Sequence, residues 1–152
     1  MVPFEILLLI LLLLAVIALV VIAWVLANRR EFGQAELESR YTEQYRNILK
    51  DLRLQSLQRT PEALTPEEDN AFTRYFDLSN EQVTLRMRGV ISLAAWIQWS
   101  QGMKAMLAQP AIRFAWALVD PRQFRELRKA IETDFADPEA WTAWEKQSFN
   151  QP

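Results

Sequence analysis

The chain contains neither cysteine nor histidine, and only three glycines. Without cysteine there is no disulfide, no thiolate nucleophile and no thiolate metal ligand. Without histidine there is no Ser-His or Cys-His catalysis, no histidine-ligated haem, and no Glu-x-x-His pair for a di-iron bundle. The calcium-loop pattern, the glycine-rich phosphate loops and the Gly-x-Ser-x-Gly elbow are also missing. A net charge of −2 speaks against a nucleic-acid binder that relies on bulk positive charge. Carboxylates are the one plentiful acid–base group. Glu67, Glu68 and Asp69 are consecutive, so they fan around a helix end, where they complement its dipole. The composition therefore points to a non-catalytic protein with no cofactor and no metal. A carboxylate or Ser/Lys site assembled in space is the remaining route to catalysis.

What the chain does have is a long apolar run, residues 6–27. As a helix rising about 1.5 Å per residue it would span roughly 33 Å, against about 30 Å for bilayer hydrocarbon. No polar side chain interrupts it. A cleavable signal peptide would carry Lys or Arg before a shorter apolar core, whereas Met-Val-Pro-Phe-Glu precedes this one. The expectation is a retained anchor over residues 1–27, in contact with the lipid bilayer through residues 6–27. All 17 Lys and Arg residues follow the run, so the positive-inside rule puts the N-terminus outside and the rest in the cytoplasm. Trp24, Arg29 and Arg30 would sit at the interface. The small pairs Ala23/Ala27 and Ala15/Ala18 fit an ordinary anchor and lack the glycines of a strong association motif.

The rest of the chain reads as all-α. Leu37, Tyr41, Tyr45, Ile48 and Leu52 form one apolar stripe, predicting a juxtamembrane amphipathic helix within residues 28–59. It packs on its own domain or forms a short coiled-coil stalk. Residues 60–152 read as a small multi-helix domain. Thr65-Pro66-Glu67-Glu68 is a capped helix start. That helix would bury Phe72, Tyr75 and Phe76 and end near Asp77 or Leu78. Ser79-Asn80-Glu81-Gln82 reads as a second capping box, and Gly89 as the end of the helix it opens. Ser92 would cap a helix running to about Ala108, with Pro110 as the stop. Asp120-Pro121 and Asp137-Pro138 read as two further starts.

The tryptophans are the most distinctive residues. Trp96 and Trp99, with Trp116, are expected to build the core. Trp141 and Trp144 are three apart, so on one terminal helix they share a face. That face is the candidate interaction surface. Arg122, Arg125 and Lys129 would line one face of the preceding helix. They are either a solvated face or a contact for anionic headgroups.

The run Tyr75-Phe76-Asp77-Leu78 … Arg88-Gly89-Val90-Ile91-Ser92 … Trp96 … Trp99 resembles uncharacterised bacterial membrane proteins with one N-terminal span and a helical cytosolic domain of unknown function. The resemblance covers residues 1 to about 120. It implies the architecture and transfers no catalytic residue. The expected function is a membrane-anchored interaction protein: a scaffold, an adaptor or a small accessory subunit of a membrane complex. A protein partner or a homo-oligomer is implied, and no nucleic acid. The alternative is a regulatory, stress-response or phage-response effector at the membrane.

Overall fold

The computed structural model describes residues 4–52, 57–58 and 61–149, without the side chains of residues 4, 5, 7, 10, 11 and 27–32. The described residues are all-α, with no strand among them. In chain order the helices are α1 (Phe4–Asp51), α2 (Pro66–Met87), α3 (Leu93–Leu107), α4 (Pro110–Leu118) and α5 (Arg125–Glu132). A short 3-10 turn (Pro138–Ala140) and α6 (Ala143–Ser148) complete the chain. It divides into two units, Met1–Glu36 and Leu37–Pro152. The residues from Leu37 onward in α1 thus group with the second unit.

In the first unit every described side chain from residue 12 to residue 26 is exposed, Trp24 included. Among the described residues no helix is long and apolar enough to cross a membrane. This finding overturns the expected localisation, a single-pass inner-membrane protein with the N-terminus outside and the domain cytoplasmic. Arg29 and Arg30, expected at the membrane interface, lie outside the described side chains.

The second unit is built around α2, which packs against α3, α4, α5 and the 3-10 turn. Its start is the reciprocal cap expected from sequence. Thr65 Oγ1 accepts from the Glu68 amide at 3.2 Å, and Glu68 Oε2 accepts from the Thr65 amide at 3.0 Å. Phe72, Tyr75, Phe76 and Val83 recur on one face and are fully buried. That face continues unbroken, so the expected stop at Asp77 or Leu78 is absent. No glycine or proline interrupts residues 67–87, and Ser79 sits in the core rather than at a cap. The helix ends at Met87, and Gly89 takes φ +67°. A side chain there would be strained and would also crowd Glu139 at 3.3 Å.

Ser92 caps α3 as expected, its hydroxyl accepting from the Ala95 amide at 3.1 Å. Trp96 is buried at the centre of the domain, with Phe135 beside it at 6.3 Å. Trp99 and Trp116 are half-buried. From α1 the stripe residues Tyr41, Ile48 and Leu52 join the core. The helix ends at Asp51, short of the Arg59 expected from sequence; residues 53–56 and 59–60 fall outside the description.

Two other expected starts are different. Asp120-Pro121 opens a turn rather than a helix, and α5 begins only at Arg125, after Phe124 at φ 52°. Asp137-Pro138 opens only the three-residue 3-10 turn. The last helix has its own reciprocal cap, Thr142 with Glu145, at 3.2 and 2.8 Å.

Candidate functional site

Two polar clusters lie on α2, and they are built differently. The first is a clamp on the C-terminal segment. Arg86 is buried, yet all its donor edges are used. Nε and Nη2 meet the Asp137 carboxylate at 2.8 and 2.7 Å, and Nη1 donates to the Ile91 carbonyl at 2.9 Å. Glu139 adds a second acid at 2.6 Å. The fork-to-fork geometry makes these charge-assisted bonds strong and directional. The Arg86 guanidinium holds the Asp137 carboxyl below the usual carboxylate range, against the opposing pull of burial. Six residues back, Asn80 bridges to α5. Its Oδ1 accepts from the Leu127 amide at 2.9 Å, and its Nδ2 donates to Glu126 at 3.0 Å. Phe124 offers α5 no side-chain cap, so Asn80 satisfies a donor at the start of a helix far along the chain.

The cations expected to form one basic face are tied down locally. Arg122 pairs with Asp120 at 2.7 Å, in the turn before α5. Arg125 donates to the Ser148 carbonyl at 2.7 Å and lies over the Phe149 ring. Arg128 donates to the carbonyls of Val119, Asp120 and Gln123, and stacks over Trp116 at 4.6 Å. Lys129 meets Glu145 at 2.6 Å and lies 5.7 Å from the Trp141 ring centre. The Lys129 ammonium, helped by the Thr142 amide and hydroxyl, pulls the Glu145 carboxyl down to about 2.

Trp141 and Trp144 do not share a helix face. Trp141 ends the 3-10 turn and is buried, with Phe149 at 5.7 Å. Trp144 is on α6 and is 78% exposed. The expected shared surface is divided, because the chain turns at Trp141 and Thr142 before the last helix begins.

The second cluster borders a cavity of about 300 Å³ between α1, α2 and α3. Its aromatic walls are Tyr45, Tyr75 and Trp99, with Tyr45 and Tyr75 rings 6.3 Å apart. Gln82 and Gln98 add amides, and Arg46 adds a cation. Gln82 is 4% exposed and has no hydrogen-bond partner among the described residues. Tyr75 Oη and Ser79 Oγ, one helical turn apart, are sealed from solvent, and neither makes a hydrogen bond of normal geometry. Burial pushes the Tyr75 hydroxyl up, with Ser79 pulling weakly the other way. Arg46 is exposed and pairs with no acid among the described residues. Gly102 of α3 faces the cavity, and a methyl group there would meet only Tyr45 Oη, at 4.0 Å.

Sequence reasoning missed both clusters. Arg86 had a signal: it continues the buried face of α2, one turn after Val83, where a charge must find partners. The cavity had none, because its lining comes from three helices. No family model matches the chain, and neither curated proteins nor solved structures contain a match.

Proposed function

We propose that the chain is a non-catalytic interaction protein, an adaptor or small accessory subunit, which docks through the apolar part of α1. One observation carries this reading. The described side chains of residues 12–26 are apolar and exposed on every side. Fully burying one Leu, Ile or Val side chain contributes about 1.5–3 kcal/mol. A surface of this extent calls for an apolar cover, and apolar helices of a partner or of a second copy supply one. The domain from Leu37 onward uses its own cations and aromatic rings to fasten its last segments, which leaves the N-terminal helix as the main unsatisfied surface.

The test is capture of partners from mild-detergent extracts with the tagged full chain and with a chain lacking residues 1–30, with light scattering on both. The full chain should bring down a stoichiometric partner or form a defined oligomer, and the shortened chain should do neither. A full chain that stays a monodisperse monomer in detergent-free buffer would overturn the proposal.

A further inference from the structure

The cavity between α1, α2 and α3 carries an inference independent of that docking role. Buried polar groups are normally hydrogen-bonded, and the exceptions need an explanation. Here the side chains of Tyr75 and Gln82 line one cavity: the Tyr75 hydroxyl is such an exception, and Gln82 is 4% exposed and makes no hydrogen bond among the described residues. Around them stand flat rings, amides that can both donate and accept, and a cation with no acid paired to it. Aromatic walls select a flat ring, through offset or edge contacts. An arginine at the edge selects a planar anion, which its guanidinium can hold with two parallel bonds. The volume lies at the small end of ligand pockets. Gly102 keeps the cavity open from the α3 side, at a position where a helix gains stability from almost any other residue.

We propose that this cavity binds a flat aromatic carboxylate of one or two fused rings. The ring lies among Tyr45, Tyr75 and Trp99, the Gln82 amide meets a polar edge of the ligand, and Arg46 holds the carboxylate. Thr42 adds no competing charge; its hydroxyl donates to the Glu38 carbonyl at 2.9 Å.

The experiment is a titration of the ¹⁵N-labelled full chain with 2-naphthoate, followed at the Gly102 amide and the Trp99 indole N–H. Two controls are 2-naphthylmethanol, which keeps the ring and lacks the charge, and cyclohexanecarboxylate, which keeps the charge and lacks the flat ring. Naphthoate should give saturable shifts at both signals, and the controls should bind at least about tenfold more weakly. Arg46→Ala should weaken naphthoate by about tenfold and leave 2-naphthylmethanol nearly unchanged. Gly102→Leu should fill the cavity and abolish binding while keeping or raising the melting temperature. Absence of saturable shifts at millimolar naphthoate overturns the proposal. So does equal binding of cyclohexanecarboxylate, or unchanged naphthoate binding by Arg46→Ala. Arg46 is exposed and pairs with no acid among the described residues, so that variant folds even if Gly102→Leu does not.

Discussion

The two polar clusters on α2 share a helix and differ in how their polar atoms are satisfied. At the Arg86 end each nitrogen of a buried guanidinium has an acceptor, and both acids come from the 3-10 turn region. At the Tyr75 end two sealed hydroxyls, Tyr75 and Ser79, make no bond of normal geometry, and the Gln82 amide beside them lines the cavity. The first arrangement holds segments together. The second costs stability, because each unpaired buried polar group forfeits its hydration. Polar residues on the same face of one helix therefore serve different ends, and burial alone does not distinguish them.

The comparison is easiest to break at Arg86. Arg86→Ala leaves Asp137 without its partner and the Ile91 carbonyl without its donor. Both acids keep some contact with water, so the loss should be about 3 kcal/mol, read as a shifted urea midpoint with unchanged slope. The same clamp gives the domain an acid limit. Asp137 and Glu145 both have folded pKa values depressed from 3.8 and 4.5, Glu145 to about 2. A depressed carboxylate contributes stability above its unfolded pKa and loses it as pH falls through the folded value. Melting temperature should therefore drop between about pH 4.5 and 2. In Asp137→Asn the drop should be shallower and the neutral-pH stability lower. A pH-independent melt over that window would show that neither pair is held as described.

Asn80→Ala removes the acceptor for the Leu127 amide, and should cost about 1–2 kcal/mol, as loss of a helix cap does. At the other cluster the sign reverses. Tyr75→Phe deletes a buried hydroxyl that makes no bond of normal geometry, so stability should stay unchanged or rise by about 1 kcal/mol. A loss as large as that of Asn80→Ala would mean that the hydroxyl is satisfied in the folded protein and would erase the contrast. The smallest effect belongs to Trp144→Ala. Its ring is 78% exposed, and the change in stability should stay within about 0.5 kcal/mol.

These contrasts show what a sequence can and cannot carry. The Thr65 and Ser92 caps and the stop at Pro110 were legible because their partners lie within four residues. The tryptophan at the core centre was legible from helical spacing. Ser79-Asn80-Glu81-Gln82 was misread for the opposite reason. Its pattern is that of a local cap, but Asn80 caps a helix 47 residues away. Asp120-Pro121 and Asp137-Pro138 carry the same local signal, and there the chain spends it on a turn and on a single 3-10 turn. Of the candidate surface residues, Trp144 keeps its exposure. Trp141, Arg125 and Lys129 are drawn into fastening the tail, through contacts no local pattern encodes. The apolar run was plain in sequence, but among the described residues no helix is long and apolar enough to cross a membrane.

The cap that Asn80 gives to α5 also sets an order of assembly. A helix of eight residues is marginal alone, since isolated helices need about 12–15 residues to persist in water. Its first turn is completed by a side chain that α2 must already present. Arg86, on the same helix, waits likewise for Asp137. The segment after residue 120 therefore relies on a template formed by α2 and its neighbours, and is expected to dock late in folding. Contacts made after the barrier weigh on the unfolding rate far more than on the folding rate. Weakening the clamp should therefore raise the unfolding rate more than it lowers the folding rate, with the tail the first part of the domain to lose protection from hydrogen exchange.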